Sequence, residues 1–370
     1  MKIAHLTSVH HARDTRILYK ECSSLAQAGH QVHLVAYGAS FIENNVQVVG
    51  LGEKPKNRLQ RIFSGAKQVV EKGLSLDCDV YHLHDPELLP FIPKIKRAGK
   101  KVIFDSHEDV PQQILEKEWL PTRGLVSKAY ACMERYYLRK TDAVIGVTPH
   151  LVDRLKKINS NTVMITNYPI LDSFHNSILP NKDEKDIYIC FAGRISRDWN
   201  HLSIIKALQQ IEGVRYVLCG KPDNQDYLNT LLQADEKGVL DYRGIVNHDE
   251  IPALYSGALA GISWLIPTPN IGGELGTLGN NKLFEQMASG IPVIISDLKL
   301  WSEIIQRYHC GIIVKSGDVE GFKKAVNTLM TDRSTAKQMG KNGKRAVEQE
   351  YNWASQEKTL IEVYSKILDF

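Results

Sequence analysis

The sequence predicts an α/β protein built from two doubly wound parallel-sheet domains, and three observations lead to this prediction. The chain has 370 residues, and a length of that order suits two domains of roughly 150–190 residues each. Its short β-branched segments are almost wholly apolar, as expected for strands of a parallel sheet covered by helices on both faces. These segments fall into two series, separated by a stretch rich in Pro, Asn and Asp.

Predicted strands and helical segments alternate along each series. The first series comprises strands at 3–9, 31–36, 80–84, 101–105, 143–148 and 162–166, and the second comprises 187–193, 215–220, 258–264, 292–296 and 311–314. We expect an N-terminal Rossmann-like domain at 1–168, a linker at 169–186, a C-terminal Rossmann-like domain at 187–350, and a C-terminal helix at 351–370. The apolar spacing of this last helix predicts that one face packs back on the body.

Composition indicates a cytoplasmic globular protein. Hydrophobic residues make up 43% of the chain and charged residues 24%, which is ordinary for a soluble domain. No uncharged apolar run approaches the ~20 residues of a membrane span, and the opening MKIAHLTSV predicts a first strand rather than a signal peptide. The six cysteines form no CxxC pair, which favours reduced thiols over a disulfide or zinc framework.

Positive charge is concentrated in the first half of the chain. Residues 1–170 hold 24 Lys and Arg against 17 Asp and Glu, and the remainder holds 22 against 25. This asymmetry indicates either a negatively charged partner or ordinary solvated lysines.

The segment 54–74 carries apolar residues at helical spacing beside several cations. The apolar residues are Leu59, Ile62, Phe63, Ala66 and Val70, and the cations are Lys54, Lys56, Arg58, Arg61, Lys67 and Lys72. The pattern suits a helix lying on an anionic membrane surface, and the alternative is a core-packed helix with a solvated face, which base rates favour. Nucleic-acid binding is not expected, because only Phe63 offers an aromatic platform for a base.

Ligands of open parallel sheets bind beyond the carboxyl ends of the strands, so the loops there are the candidate site. In FAGRISRDWN (191–200), Gly193 ends a predicted strand and Arg194 and Arg197 follow. A tight turn with an arginine suits a diphosphate, because a guanidinium can bridge two oxygens. A surface ion pair is the alternative interpretation of these arginines.

The second candidate loop is NIGGELGTLGNNKLFE (270–285), in which a helix is predicted to begin near Asn281. The unpaired amides of a helix N-terminus favour phosphate, and Lys282 adds a full positive charge. Glu285 lies one turn further on the same face, where a carboxylate suits the paired hydroxyls of a ribose. A mobile surface loop with an Asn cap is the alternative.

Other strand ends contribute a third group of candidates. His107 follows a strand in FDSHED (104–109) and could donate a hydrogen bond to a phosphate or a developing oxyanion. The neighbouring strand ends add His84, Asp85, Asp14 and Arg16 to the predicted wall of the site. No metal is predicted: the acidic pair at 77–79 precedes its strand, and the HLH of residues 82–84 has no evident third ligand. The absence of GxGxxG after the first strand counts against a nicotinamide dehydrogenase.

At GNNKLFEQMASGIPVIISD (279–297) the sequence resembles the family-4 retaining glycosyltransferases of GT-B fold, of the bacterial surface-polysaccharide type. SLAQAGHQVHLVA (24–36), the segment 135–157, YRGIVNHDEIPALYSGA (242–258) and GIIVKSGD (311–318) are similar to further parts of the family in the same order. The resemblance implies two Rossmann-like domains that face each other across a cleft.

The resemblance also implies roles for individual residues. Glu285 matches the glutamate that holds the donor ribose, Arg194 the arginine on the diphosphate, and His107 the histidine near the donor sugar. The loop around the base is matched by Gly244, Ile245 and Val246. The loop around the phosphates and hexose is matched by Thr277, Leu278, Gly279 and Asn280.

Two positions depart from the family pattern. Thr277 stands where the family has a second glutamate, with Glu274 the nearest candidate replacement. Trp199 and Asn200 stand where the family has a lysine after the Gly-Arg pair, and Arg197 or Lys282 could supply that charge.

The implied reaction transfers a hexose or N-acetylhexosamine, with retention, from a UDP-linked sugar to a glycan or lipid-linked acceptor. The resemblance implies neither a metal nor a cofactor, and the nucleotide sugar is a substrate. Segment 54–74 would place the protein peripherally on the inner face of the cytoplasmic membrane. Two alternatives remain: an epimerase of hexose nucleotides with the same architecture, and a non-catalytic protein that binds nucleotide sugars.

Overall fold

The structure, a computed structural model, describes residues 1–117, 119–175 and 187–368. The chain divides into two compact units. Unit 1 comprises Met1–Asn167 together with Ala354–Phe370, and unit 2 comprises Tyr168–Trp353. Residues 176–186 of the predicted linker lie outside the described residues.

Unit 1 is built on an eight-stranded sheet, counted over the described residues, in the order β3-β4-β2-β1-β5-β6-β7-β8. Its strands are β1 (Lys2–Leu6), β2 (Gln31–Ala36), β3 (Phe41–Glu43), β4 (Val46–Gly50), β5 (Val80–Leu83), β6 (Lys101–Ser106), β7 (Ala143–Gly146) and β8 (Thr162–Met164). All neighbours pair in parallel except β3 and β4. The doubly wound prediction is therefore confirmed for this unit, with one antiparallel strand at the edge.

The β3–β4 hairpin was missed in the sequence, although its signal is present there. Asn44 and Asn45 form its turn with φ angles of 51° and 60°. Asparagine tolerates this left-handed conformation better than most residues, and two such residues match the twist of a tight hairpin. Val46 and Val48 of the following strand are buried, which is the alternation expected for one covered face.

Unit 2 contains a parallel sheet of six strands within the described range, in the order β11-β10-β9-β12-β13-β14. They are β9 (Ile187–Ala192), β10 (Val214–Cys219), β11 (Leu240–Gly244), β12 (Ala260–Ser263), β13 (Val293–Ser296) and β14 (Gly311–Val314). The sequence prediction lacked β11, since Asp241 and Arg243 interrupt the apolar pattern at this sheet edge. The prediction of a doubly wound α/β domain is confirmed here as well.

Helices cover both sheets. In unit 1 they are Thr15–Cys22 continued by Ser23–Gln27, Arg58–Gln60 continued by Arg61–Gly65 and Ala66–Ser75, Pro86–Phe91 continued by Ile92–Arg97, Val110–Leu115, Arg123–Leu138 and Pro149–Lys156. In unit 2 they are Asp172–His175, Arg197–Trp199, His201–Leu208, Gln225–Ala234, His248–Glu250, Ile251–Ser256, Pro269–Ile271, Gly273–Leu275, Asn281–Ala288, Lys299–Tyr308, Val319–Thr331 and Arg333–Gln349. Trp353–Leu368 is the last helix.

The helical stretch 58–75 divides into two halves that differ in burial. Ala66 and Val70 are fully buried in the unit 1 core. Leu59 and Phe63 are 68% and 74% exposed. The hypothesis of a helix lying on a membrane along all of 54–74 is therefore wrong for the second half, which packs on the sheet, and it stays open only for the exposed first half.

Tyr168 and the final helix are packed against their own units and do not form loose connections. Tyr168, the last residue of the predicted N-terminal domain, belongs to unit 2 and is buried with its ring 4.7 Å from that of Phe284. The final helix buries Leu360, Val363 and Tyr364 on unit 1. Among the described residues, no helix combines the length and apolar character needed to cross a membrane.

Candidate functional site

In unit 2, three glycines stand at the carboxyl ends of adjacent strands. Gly193 follows β9, Gly220 follows β10 and Gly244 ends β11, and all three have positive φ angles. The amide of Gly220 donates to the carbonyl of Gly244 at 2.6 Å, and a Cβ on Gly220 would lie 1.7 Å from the carbonyl oxygen of Gly193. These loops can lie this close only without side chains, so backbone lines the edge where parallel sheets bind ligands, and the Gly193 amide itself donates to the Cys219 carbonyl at 2.9 Å.

Lys282 lies across the first of these glycines. A Cβ on Gly193 would be 1.9 Å from Lys282 Cε, so the glycine is required for the lysine to occupy this place. Its Nζ lies 4.9 Å from the centre of the Trp199 ring and 5.7 Å from that of Phe191. Burial lowers the pKa of Lys282. The structure thus brings together Gly193 and Lys282, which the sequence placed 89 positions apart.

The turn before Lys282 uses some of its own amides. Asn280 caps the Asn281–Ala288 helix, with its Oδ1 accepting from the Lys282 amide at 3.1 Å. The Gly279 amide donates to Thr277 Oγ1 at 3.0 Å, and the Thr277 carbonyl accepts from Trp301 Nε1 at 2.6 Å. Two amides predicted to face phosphate are therefore already engaged inside the turn. Asn281 Oδ1 is buried and makes no hydrogen bond in the described part of the chain.

The two arginines after Gly193 take different positions. Arg194 is 75% exposed and forms a bidentate ion pair with Asp223, the Nη2–Oδ2 distance being 2.7 Å. The Arg197 guanidinium stacks over the Tyr227 ring at 4.8 Å. Lys282, and not Arg197, is therefore the cation next to Gly193. Asp223 was not predicted, since nothing in KPDN (221–224) marks it before the strand order is known.

The predicted ribose and base contacts differ in accessibility. Glu285 lies one turn after Asn281 on the same helix and is only 7% exposed. Beyond Gly244, Ile245 is 75% exposed and Val246 is partly buried against a small apolar cluster. Leu278 also packs on the unit 2 core, and Glu274 is exposed on the turn Gly273–Leu275.

In unit 1, charged side chains converge at the carboxyl end of β6. Asp105 accepts from Arg16 at 2.8 and 3.0 Å and lies 3.0 Å from His107 Nε2. Glu21 lies 3.0 Å from the same guanidinium. Arg16 is 4% exposed, so the prediction that it forms part of the wall is wrong: it positions Asp105 from the interior. Although burial opposes ionisation, Arg16 and His107 hold the pKa of Asp105 well below its usual range.

Asp85 organises the loop that follows β1. Its Oδ2 accepts from Thr7 Oγ1 at 2.8 Å and from the Ser8 and Val9 amides at 2.6 and 3.2 Å. The next residues along the loop place His10 Nε2 3.5 Å from Asp85 Oδ1.

Asp14 has a mainly structural position at the start of a helix. It caps the Thr15–Cys22 helix by accepting from the Arg16 and Ile17 amides, and its other oxygen lies 3.3 Å from His10 Nδ1. Burial opposes the charge on His10, but the hydrogen bond with Asp14 and the nearby Asp85 raise the pKa of His10.

A pocket of about 850 Å³ opens beside this polar edge within unit 1. Its polar end contains the predicted residues His84, Asp85 and His107, together with His10 and Asp105. Its apolar wall includes Ile62, Phe63, Phe91, Val126 and Met133, and its cations are Arg58, Arg61 and Lys117. The sequence analysis did not predict the wall formed by the Arg123–Leu138 helix, since that helix carries no sharp apolar stripe.

Two family profiles match the chain. The profile described as Glycosyltransferase Family 4 matches residues 15–168, and the one described as Glycosyl transferases group 1 matches residues 176–346. Together with the two parallel-sheet domains, they show that the chain belongs to the glycosyltransferases of GT-B architecture. The resemblance found in the sequence is thereby confirmed.

Two curated relatives are similar over part of their length. An uncharacterized glycosyltransferase of Methanocaldococcus jannaschii is 27% identical over 196 residues, covering 52% of this chain and 47% of that protein. The GDP-mannose-dependent alpha-(1-6)-phosphatidylinositol monomannoside mannosyltransferase of Mycobacterium tuberculosis is 28% identical over 179 residues, covering 46% of this chain and 45% of that protein. The chain thus matches these relatives over about half of their length.

A similar solved structure covers both domains. HepE of Anabaena in complex with UDP-glucose superposes with a TM-score of 0.72 over 99% of this chain and 100% of that chain, at 14% identity. At this identity, the similarity establishes the fold.

Proposed function

We propose that the protein is a retaining glycosyltransferase that moves a hexose or N-acetylhexosamine from a UDP-linked sugar to a lipid-linked or glycan acceptor. The observation that carries this proposal is the edge of the unit 2 sheet, where Gly193, Gly220 and Gly244 place no side chains and Lys282 lies across Gly193. An edge without side chains, beside a cation in the first turn of a helix, suits a pyrophosphate.

In this proposal Lys282 and Arg194 stabilise the negative charge that develops on the β-phosphate as the bond to the sugar breaks. Lys282 is held between aromatic rings, so little reorganisation is needed when that charge appears. Arg194 is oriented by Asp223, which takes its Nε and Nη2, and the Nη1 edge of the guanidinium would donate to the phosphate. Glu285 binds the ribose hydroxyls from the adjoining helix, and residues 244–246 contact the base.

The similar proteins differ in the nucleotide of their donor. HepE, which shares the fold over its whole length, binds UDP-glucose, whereas the mycobacterial relative is named for GDP-mannose. Backbone contacts to the base in unit 2 would not by themselves distinguish the two nucleotides. The nucleotide panel below therefore includes both.

The pocket of unit 1 supports an acceptor with an apolar part and an anionic part. Ile62, Phe63 and Phe91 offer apolar contact, while Arg58, Arg61 and Lys117 favour a phosphate. At the polar end, His107 is oriented by Asp105 and faces the pocket. These properties fit a lipid-linked phosphate better than a free sugar.

Exposed apolar residues beside this pocket support a peripheral contact with an anionic membrane. Leu59 and Phe63 lie on the exposed half of the helical stretch, and Trp119 is 73% exposed. Arg58 and Lys117 are close to them in the chain. Apolar side chains that enter the headgroup region, combined with nearby cations, are typical of such contacts.

The first experiment identifies the donor. Melting temperatures are measured with UDP, GDP, ADP and their hexose and N-acetylhexosamine derivatives, because a ligand that binds only the native state raises the melting temperature. We expect a shift with UDP and UDP-sugars that Glu285→Gln reduces and Glu303→Gln, an exposed control on the Lys299–Tyr308 helix, leaves unchanged. No shift with any nucleotide would contradict the proposal.

The second experiment separates transfer from isomerisation. The labelled donor identified above is incubated with and without lipid-linked saccharide acceptors, and both released nucleotide and the donor sugar are analysed. Acceptor-dependent release with an α-linked product from an α-linked donor supports retaining transfer. An isomerised donor would support the epimerase, and binding without either product would support a sugar-nucleotide binding protein.

The membrane contact has its own test. Sedimentation with anionic liposomes at low salt should decrease for the double variant Leu59→Ser and Phe63→Ser. Ile42→Ser is the matched control, because Ile42 is 77% exposed on strand β3 of the same unit. Equal sedimentation of the double variant and the control would reject this surface.

A further inference from the structure

The interior of unit 1 contains a group of metal-ligating side chains that the proposed transfer does not use. His5 on β1 is in register with His82 on β5, and His84 lies two residues beyond His82, so the three imidazoles share one face of the sheet. Glu21 approaches that face from the helix Thr15–Cys22. His5, Glu21 and His82 are 0% exposed, and His84 is 2% exposed.

The ligand atoms of these four residues surround a common point. Glu21 Oε2 lies 3.9 Å from His5 Nδ1, 4.0 Å from His82 Nε2 and 3.9 Å from His84 Nε2. His5 Nδ1 and His84 Nε2 are 2.9 Å apart. Around a tetrahedral ion with bonds of about 2.0–2.1 Å, neighbouring ligand atoms are separated by roughly 3.3–3.4 Å. The observed spacings differ from that geometry by about 0.4–0.7 Å, three being longer and one shorter.

The opposite ring nitrogens already have partners that would orient such ligands. Tyr364 Oη lies 2.8 Å from His82 Nδ1 and 3.2 Å from His5 Nε2. His84 Nδ1 lies 3.5 Å from Asp105 Oδ2. Metal-binding histidines generally use their second nitrogen in this way, which fixes the ring and the tautomer. The nitrogens that face Glu21 are therefore the ones left for an ion.

Of the polar atoms that face the centre, His5 Nδ1 and His84 Nε2 share a hydrogen bond with each other, and the remaining ones lack hydrogen bonds in the described part of the chain. Within the described residues, neither carboxylate oxygen of Glu21 has a hydrogen-bond partner, nor does His82 Nε2. Glu21 Oε1 also lies 3.0 Å from Arg16 Nε, in an ion pair. Buried polar groups without partners are costly, so this arrangement calls for a species that satisfies several lone pairs at once.

We propose that His5, Glu21, His82 and His84 form a binding site for one structural divalent ion, with Zn²⁺ as the ion that the donor set favours. Three imidazoles and one carboxylate are borderline ligands that suit zinc, and four protein ligands leave no open position for catalysis. The carboxylates of Glu21 and Asp105 offset part of the charge of the ion and of Arg16. Because Tyr364 lies on the Trp353–Leu368 helix, the ion would fasten this helix to the sheet.

The site went unrecognised in the sequence because its ligands come from three separate segments. His82 and His84 were noted as two imidazoles without a third ligand. The pairing of β1 with β5 supplies His5, and the helix after β1 supplies Glu21.

The test is metal content with matched variants. The full chain is purified without chelator or affinity metal, dialysed, and analysed by inductively coupled plasma mass spectrometry, with about one equivalent of zinc expected. His82→Gln and Glu21→Gln should each reduce bound zinc at least about tenfold. His33→Gln, a buried histidine on the neighbouring strand β2, should retain the zinc of the unaltered protein. Tyr364→Phe should weaken zinc binding about 10- to 100-fold while keeping the four ligands.

A second measurement uses the unaltered protein, so that the test does not depend on variants that fold poorly. The unaltered protein is stripped with EDTA and titrated with Zn²⁺ or Co²⁺, with a rise in melting temperature and a tetrahedral Co²⁺ absorption spectrum as the expected results. The proposal would be overturned if the purified protein contained no zinc and its melting temperature did not change when Zn²⁺ was added. A proton shared between Glu21 and an imidazole would then explain the cluster. Zinc content that is the same in His82→Gln, Glu21→Gln and His33→Gln would also overturn it.

Discussion

The carboxyl edges of the two sheets are built by opposite means. In unit 1, buried side chains fill the edge: Arg16 donates to Asp105 at 2.8 Å, and Asp85 accepts from Thr7 at 2.8 Å. In unit 2, glycines form the edge, and Gly193 and Gly220 lie so close that a Cβ on the latter would collide with the former. Both sheets are doubly wound, so the difference arises from the residues that end the strands.

The two edges illustrate two ways of building a binding site. A network of buried charges holds each side chain in place but depends on every partner, since removing one leaves another uncompensated. An edge of glycines leaves room for a ligand and needs few side chains, but an added Cβ at Gly193 or Gly220 would collide with Lys282 or with backbone. We therefore expect substitutions in unit 1 to act mainly on stability, and those in unit 2 mainly on ligand binding.

The largest expected effect is the loss of Asp105. Asp105→Ala removes the bidentate partner of Arg16 and leaves a buried guanidinium with only Glu21. We expect it to reduce the free energy of unfolding by about 3–5 kcal/mol, measured by chemical denaturation with circular dichroism. Glu71→Ala, which removes an exposed carboxylate paired with Lys67 and Lys94, is the control and should cost much less. Equal costs would contradict the importance assigned to the buried network.

The next effect concerns turnover and the edge of unit 2. Arg194→Ala should lower turnover at least about a hundredfold, since removing one partner of a developing oxyanion costs roughly 3–4 kcal/mol. Arg194 is 75% exposed, so the melting temperature should hardly change. Arg215→Ala, which breaks the comparable pair with Asp241 near the amino end of β10, serves as the control. Near-normal turnover of the Arg194 variant would refute its catalytic role.

A pH measurement sharpens the comparison, because His201 is fully buried in unit 2. Burial lowers the pKa of His201, which contacts Tyr216 Oη at 2.8 Å, to about 3. The unfolded chain, with a histidine pKa of about 6.5, binds a proton that the folded chain does not, so the contribution of His201 to stability is complete above pH 6.5. It should then fall by about 1.4 kcal/mol per pH unit as the pH decreases towards 3.

The matched variant isolates this single group. His201→Gln keeps a polar partner for Tyr216 but cannot titrate, so its unfolding free energy should vary less between pH 7 and pH 5 than that of the unaltered protein. Denaturation followed by tryptophan fluorescence is suitable, since Trp199 lies near His201 through the Phe191 ring. The same pH dependence in both proteins would exclude His201 as the source.

The smallest expected effect is that of one methyl group at the glycine edge. Gly193→Ala should displace Lys282 and weaken nucleotide binding about tenfold, or about 1.4 kcal/mol. Gly213→Ala is the matched control, because Gly213 also has a positive φ but has no atom within 4 Å of an added Cβ. Isothermal titration calorimetry measures both variants. A similar loss of affinity in both would show that backbone strain, and not the displaced lysine, is responsible.

Much of the fold follows from the sequence itself. Apolar segments such as QVHLVA and PVIIS are buried on both faces, so their composition alone marks them as inner strands, and the glycine-rich run at 272–279 marks a loop before a helix. The order of these elements, together with the family resemblance, was sufficient to predict two doubly wound domains. The edge strands β3 and β11 were not predicted from the sequence, because they are only partly covered and carry polar residues.

Only the tertiary structure decided which polar residues share an environment. The sequence placed Arg16 on the wall of a site, whereas the fold buries it under Asp105, and it left His82 and His84 without the His5 and Glu21 that surround them. The physical reason is that hydrophobic periodicity is local and is written within each segment. Contacts between polar groups depend on strand order, register and the direction of each side chain, which exist only once the sheets are assembled.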